Sequence, residues 1–322
     1  MSTALVTGAS GFLGRHLVQA LLAEGRPVIA LARNPAALAD LKHPALRVAA
    51  GDLRDPASYA PVLPGVTSVF HLAGVRNQPH VRAREMEEVN VRATVELARR
   101  AAEAGARRFV NVSTALIYGP SGVAVTETKL EPERAFGAYA RSKARAVLAI
   151  RSLAVTVCPT VVFGPDHPSH PNRVTSQIRR LLRSRFEVLV GGGRARRDLV
   201  HVDDVVRGLL AAERRGAVGE EYLLGGEEVT PRGFNALVFA TAGVRPPRWR
   251  LELPAGGALA AARAVDRLRG YGPGCGYTTA VRSLLHEWRF SSAKARRDLG
   301  HQPLSLAEGL TRTINWIREG GA

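Results

Sequence analysis

Short apolar runs separated by helix-length amphipathic stretches dominate the first half of the chain. Ala4-Leu5-Val6 leads through a glycine-rich turn into Phe12 to Glu24, where Leu13, Leu17, Val18, Leu21 and Leu22 recur at helical spacing. Val28 to Ala32, Val48 to Ala50, Ser68 to Leu72, Phe109 to Val112 and Val155 to Val162 are the compact runs expected of strands buried on both faces. Val89 to Ala104 and Tyr139 to Arg151 carry helical periodicity between them. The alternation predicts an α/β fold, a Rossmann-type doubly wound parallel sheet. After about Pro165 the pattern weakens, Pro and Gly become frequent, and the last strong helix signal is Leu306 to Ile317. The expected division is a dinucleotide-binding domain over 1–165. A smaller, mainly substrate-binding lobe follows over 166–322, with some segments returning to the core.

The 322 residues are 46% hydrophobic and 23% charged, a balance that excludes disordered and fibrous classes. Cys158 and Cys275 are too few for a disulfide framework, and no charged-then-apolar leader precedes Ala4, so a reducing cytoplasm is the expected compartment. No apolar stretch approaches the roughly 20 residues of a spanning helix; Ala255 to Val265 is short and interrupted by Arg263. Membrane insertion is therefore not expected. The formal charge of +17 raises the question of nucleic acid. Only four of the 45 basic residues are lysines, however, and the arginines are scattered without an aromatic-interleaved stripe. An anionic small ligand suits that charge better than nucleic acid, and no metal is expected.

Chemistry concentrates in three places. In Thr7-Gly8-Ala9-Ser10-Gly11-Phe12-Leu13-Gly14 the glycines let backbone approach a pyrophosphate at a helix N-terminus, making Gly8, Ser10, Gly11, Phe12, Leu13 and Gly14 cofactor contacts. Where the second strand ends, Arg33 stands in place of an acidic ribose partner and offers a cation to a 2′-phosphate; NADP is thus expected, with NAD as the alternative. Asp52, followed by Leu53, is either a partner of the adenine edge or a strand-end carboxylate. Finally, Tyr139 and Lys143 stand four apart on one helix face, so that a fixed cation can stabilise a phenolate able to exchange a proton with a carbonyl or alcohol oxygen. Lys143 is also within reach of ribose hydroxyls. The strand Phe109-Val110-Asn111-Val112 ends in Ser113 and Thr114, at the sheet edge that presents ligand-binding groups.

Taken in order, several segments resemble the extended short-chain dehydrogenases/reductases of the NAD-dependent epimerase/dehydratase superfamily. They are Thr7-Gly8-x-x-Gly11-x-x-Gly14, Gly51-Asp52, His71-Leu72-Ala73-Gly74, Asn90-Val91, Ser113-Thr114-x-x-Ile117-Tyr118-Gly119, Tyr139-x-x-x-Lys143, Pro159-Thr160-x-x-Phe163-Gly164-Pro165 and Val202-Asp203-Asp204-Val205. The resemblance implies that Thr114, Tyr139 and Lys143 are catalytic. It also implies that Leu72, Ala73, Gly74, Ser113, Pro159 and Thr160 border the cofactor, and that the protein is a homodimer packed through helices such as Val89 to Ala104 and Tyr139 to Arg151. Cys158 replaces an arginine often found before that proline.

Two reactions compete. Trp288-x-Phe290-Ser291-Ser292 through Gly300 and Pro303 is similar to the hydroxysteroid dehydrogenase and dihydroflavonol reductase branch, which implies a reductase of an apolar ketone. Gly193-Arg194-Ala195-Arg196-Arg197-Asp198-Leu199-Val200-His201 is instead similar to the diphosphate-holding segment of sugar-nucleotide epimerases, with Asn172 as a further contact. Arg197 has either that role or a structural one, while His201 and Asp203 have simple readings as a packed strand histidine and a helix cap. Dehydratases of the superfamily resemble one another in an Asp-Glu pair where this chain has Ala115-Leu116, which argues against that chemistry. The reductase is the expected function and the epimerase the alternative. A non-catalytic dinucleotide-binding regulator comes third, because Thr114, Tyr139 and Lys143 are all present.

Overall fold

The computed structural model describes residues 2–76, 81–184, 186–272 and 274–321. Its strands, in chain order, are β1 (Thr3–Thr7), β2 (Val28–Ala32), β3 (Leu46–Ala50), β4 (Val66–His71), β5 (Arg108–Val112), β6 (Ser121–Val125), β7 (Val155–Pro159), β8 (Val161–Phe163), β9 (Phe186–Val190), β10 (Arg197–His201), β11 (Glu221–Leu224), β12 (Glu227–Val229), β13 (Trp249–Leu253) and β14 (Trp288–Phe290). Seven form the main sheet in the order β11-β7-β5-β4-β1-β2-β3, with every pair parallel. This is the Rossmann-type doubly wound architecture that the sequence pattern predicts.

Both faces of that sheet are covered, as its continuous apolar strands require. Ala4 and Val6 of β1 face a cluster containing Leu17, Val18 and Leu21 of the helix Phe12–Ala23 and Val205 and Leu209 of the helix Val202–Arg215. Leu5, between them, faces the opposite cluster with Leu97, Ala98 and Ala101 of the helix Ala93–Glu103. Each such leucine contributes about 1.5–3 kcal/mol by leaving water. The order of strands reverses between β1 and β4, so a crevice opens beyond their carboxyl ends, where a ligand site is expected.

The run Val155 to Val162 is not one strand. β7 lies in the main sheet, whereas β8 pairs with β10 in a second sheet of order β12-β10-β14-β6. Pro159 has no N–H to continue the ladder. At Thr160 the backbone N–H donates to Leu224 O at 3.1 Å and the hydroxyl to Asp198 Oδ1 at 2.8 Å, and there the chain passes between sheets. Residues beyond 165 supply β11 and the helix Val202–Arg215 to the main core, while β9 and β13 form a separate two-stranded parallel sheet.

The helix expected from Val89 begins earlier and is irregular. Ala83–Glu87 passes into a π turn, Glu88–Arg92, before regular helix resumes at Ala93. The wide turn holds fully buried Asn90, which accepts from Val75 N at 2.8 Å and donates to Val75 O at 2.9 Å and Ser142 Oγ at 3.0 Å. One amide therefore ties the loop after β4 to the Tyr139 helix, a use typical of π turns near functional sites.

Candidate active site

The glycine turn closes tightly. Gly8 has φ +67°, and a Cβ there would lie 2.7 Å from Ala73 N; a Cβ on Gly14 would lie 2.1 Å from Gly8 O. Backbone alone fits. Gly11 opens the helix Phe12–Ala23 with no side-chain cap, which leaves its first N–H groups available to an anion. Beneath the turn, buried His71 bridges Thr7 Oγ1 at 2.8 Å and Thr94 Oγ1 at 2.9 Å, fastening the end of β1 to that of β4. Burial, and then the charge of Lys143, draws this imidazole down to about 3, so it is neutral at physiological pH.

At the neighbouring strand edge, Ser113 is buried and its N–H donates to Val157 O at 2.8 Å. Half-buried Thr114 begins a short 3₁₀ turn, its Oγ1 accepting from Leu116 N at 3.3 Å. Tyr139 sits in the first turn of the helix Gly137–Ala149, its ring packed on Val81, Met86, Ala138 and Cys275. Burial pushes the Tyr139 phenol up, and the cation that draws it partly back is Arg76, on the loop after β4. Lys143, four residues on, is 4% exposed, and burial draws its ammonium down to about 8. It makes no hydrogen bond or ion pair with another described residue; a Cβ on Gly74 would lie 3.9 Å from its Nζ. Cys158 is fully buried and its thiol is pushed well up, which keeps it protonated and inert.

Gly8, Ser10, Gly11, Phe12, Leu13, Gly14, Arg33, Asp52, Leu53, Leu72, Ala73, Gly74, Ser113, Thr114, Tyr139, Lys143, Pro159 and Thr160 all line one cleft of about 470 Å³. Arg33 is exposed and makes no ion pair with a described residue. Asp52 is engaged by Arg54, with Nη2 to Oδ2 at 2.6 Å and Nε to Oδ1 at 3.1 Å, and this pairing holds its carboxyl below the usual range. Arg54 and Arg76 line the cleft too, and neither is singled out by the sequence pattern. The only signal for them is a cation two residues beyond Asp52 or Gly74.

The two residues expected at a diphosphate are placed differently. Asn172 reaches the cleft wall, but its side chain is committed: Oδ1 accepts from Val174 N and Thr175 N at 2.9 and 3.1 Å, and Nδ2 donates to Val162 O at 2.9 Å. It caps the helix Arg173–Arg183. Arg197, at the start of β10, is not among the residues lining the cleft; it is half-buried, and burial lowers it to about 10. His201 caps the helix Val202–Arg215 by accepting from Asp203 N at 3.3 Å.

A doubly wound sheet whose switch-point cleft joins a glycine turn to a Tyr-x-x-x-Lys helix defines an extended short-chain dehydrogenase/reductase. The model of the NAD dependent epimerase/dehydratase family matches residues 4–225, and the chain belongs to that family of oxidoreductases and epimerases. It is similar to sterol demethylase protein B of Methylococcus capsulatus, with 33% identity over 332 residues covering 99% of each chain. A 4-hydroxy-2-methyl-3-oxo-4-farnesyl-3,4-dihydroquinoline-1-oxide ketoreductase of Stigmatella aurantiaca is 31% identical over 92% of this chain and 90% of its own. Among solved structures, MoeE5 in complex with UDP-glucose and NAD superposes with a TM-score of 0.78 at 26% identity, covering 100% of both chains.

Proposed function

We propose that the protein is an NADP-linked oxidoreductase that interconverts a carbonyl and an alcohol on an apolar substrate. The observation that carries this reading is the convergence of the capless glycine turn, Thr114, Tyr139 and Lys143 on one cleft. When bound, the nicotinamide dinucleotide supplies or accepts the hydride. Tyr139 Oη gives a proton to the substrate oxygen on reduction and takes it on oxidation. Thr114 Oγ1 hydrogen-bonds the same oxygen as its charge changes. Lys143 holds ribose hydroxyls, and its positive charge favours the phenolate of Tyr139 when both face the substrate. Ser113, Leu72, Ala73, Gly74, Pro159 and Thr160 wall the cofactor, while the region 166–322 supplies most of the substrate contacts.

Arg33 supports NADP over NAD, because an exposed guanidinium that makes no ion pair with a described residue suits a 2′-phosphate, with Arg54 beside the same cleft. NADPH is expected to bind more tightly than NADH, and Arg33→Asp to reverse that order. Titrations giving equal affinities before and after the change would remove Arg33 from cofactor choice.

The apolar substrate is supported by the committed amide of Asn172, by Arg197 lying outside the cleft lining, and by relatives whose names specify a sterol and a farnesyl-bearing ketone. A sugar-nucleotide epimerase is the second reading, favoured by the likeness to a UDP-glucose complex. Incubation with UDP- and dTDP-hexoses without added cofactor separates the two. The reductase reading expects no change of sugar stereochemistry; inversion at a sugar carbon would overturn it. The buried free thiols Cys158 and Cys275 suit a cytoplasmic protein. Exposed Leu148 on the Tyr139 helix suits the homodimer that the family resemblance implies.

A further inference from the structure

The lobe carrying β9 and β13 turns apolar side chains toward water in a regular way. The register pairs Trp249 with Phe186, Leu251 with Val188 and Leu253 with Val190, so alternate residues of both strands share a face. On that face Phe186, Val188, Trp249, Leu251 and Leu253 are all exposed, Trp249 by 61%. Glu187 and Leu189, on the other face, are buried. β13 runs through Pro254 directly into the helix Ala255–Leu268, where the pattern repeats. Its buried residues are Ala262 and Asp266, while Ala261, Ala264, Val265 and Leu268 form an exposed stripe at i, i+3, i+4 and i+7, with Leu268 87% exposed. Exposed apolar side chains recurring on consecutive elements in this way mark an interaction site.

The charges along this segment are one-sided. Arg245, Arg248 and Arg267 are exposed and make no ion pair with any described residue, and Arg248 stacks over the Trp249 ring. The local carboxylates are all engaged: Glu187 by Arg250 and Asn235, Glu252 by Arg232, and Asp266 by the N–H groups of Tyr277 and Thr278. A second copy of the chain fits poorly, because a two-fold contact would set these arginines against one another with no free carboxylate to meet them. Projecting Trp, Phe and Leu side chains accompanied by unpaired arginines of the same segment fit the boundary between acyl chains and anionic headgroups, which requires no complementary shape.

We propose that this segment docks the protein reversibly on an anionic phospholipid surface. Trp249, Phe186 and Leu268 enter the headgroup boundary and Arg245, Arg248 and Arg267 meet lipid phosphates. This is surface attachment, since no helix among the described residues is long and apolar enough to cross a membrane. The attached lobe adjoins the reaction centre, for Gly274 O accepts from Ala138 N at 3.0 Å, one residue before Tyr139. If the oxidoreductase reading holds, on which this consequence rests, an apolar substrate dissolved in the bilayer is delivered beside the cleft.

The test is sedimentation of the full chain, without substrate, with vesicles of phosphatidylcholine alone or of equimolar phosphatidylcholine and phosphatidylglycerol. Binding is expected to the anionic vesicles and to weaken with salt. Trp249→Ser and Leu268→Ser are each expected to lower the partition coefficient about tenfold, and Arg248→Ser and Arg267→Ser about fivefold each. Melting temperature should be unchanged in all four, because each side chain is exposed. Absence of binding to anionic vesicles overturns the proposal. So does binding unaffected by Trp249→Ser and Leu268→Ser, which would be unspecific charge attraction. Binding to polyglutamate but not vesicles would point to an acidic protein partner, and a dimer that the same substitutions dissolve would point to a second copy; either result overturns it. None of these outcomes depends on catalytic turnover, so they stand apart from a failure of the oxidoreductase reading.

Discussion

Tyr139→Phe is expected to lower turnover by about two to four orders of magnitude while leaving cofactor affinity and stability nearly unchanged. The substitution removes one oxygen and keeps the ring, so contacts with Val81, Met86, Ala138 and Cys275 persist. The glycine turn and Arg33, which carry most of the cofactor contact in this reading, lie on other elements. What disappears is the proton donor, and with it a pH dependence whose sign is fixed. Burial raises the Tyr139 phenol and the Arg76 cation lowers it, so alcohol oxidation, which needs the phenolate, rises with pH through that group's ionisation. Carbonyl reduction, which needs the phenol, falls there. Both limbs should vanish in Tyr139→Phe, and Arg76→Ala should move the wild-type limbs to higher pH. Profiles of kcat/KM against pH measure this directly. Near-normal turnover in Tyr139→Phe, or limbs that survive it, would transfer the proton step to another group.

The parts of this molecule legible in its sequence are those whose determinants lie close together along the chain. The glycine turn is legible because Gly8, Gly11 and Gly14 meet one another locally. The inner strands β1, β2, β4, β5 and β7 of the main sheet are legible because burial on both faces leaves largely apolar runs, whereas β11, Glu221–Leu224, is not among the runs read from the sequence. The break between β7 and β8 is not legible, since Asp198 of the second sheet, which takes the Thr160 hydroxyl at the passage, lies 38 residues further on. Nor is the π turn at Asn90, whose partners Val75 and Ser142 belong to a loop and a different helix. Arg54 and Arg76 stand in loops, where no periodicity separates a cleft cation from a solvated one. Asn172 and Arg197 illustrate the converse: a residue type suited to phosphate is committed to a helix cap in one case and stands away from the cleft lining in the other. In the late lobe the usual inference from apolar spacing to core fails outright, because the stripe ending at Leu268 faces water.

Lys143→Met is expected to stabilise the protein at neutral pH while abolishing most of its activity. Lys143 is 4% exposed, and burial draws it from 10.5 down to about 8 in the folded chain. A lysine lowered on folding prefers to be neutral there. Below about pH 8 the native state must therefore carry a buried ammonium that the unfolded chain holds in water, and the cost is fully present. As pH rises from about 8 to 10.5 the unfolded state binds more protons than the native one, stability climbs, and above that range the penalty is gone. The lowering corresponds to at most about 3 kcal/mol. Methionine fills a similar volume without the charge and should recover much of this as a rise of several degrees in melting temperature at pH 7. The gain should shrink to nothing above pH 10.5. Thermal melts of both proteins across that range provide the measurement; a destabilised variant at pH 7, or a gain that persists undiminished in alkali, would exclude burial of the charge as the cause. Loss of turnover in the same variant would mean that the chain holds a destabilising cation where the cofactor and Tyr139 need one, a stability cost retained for function.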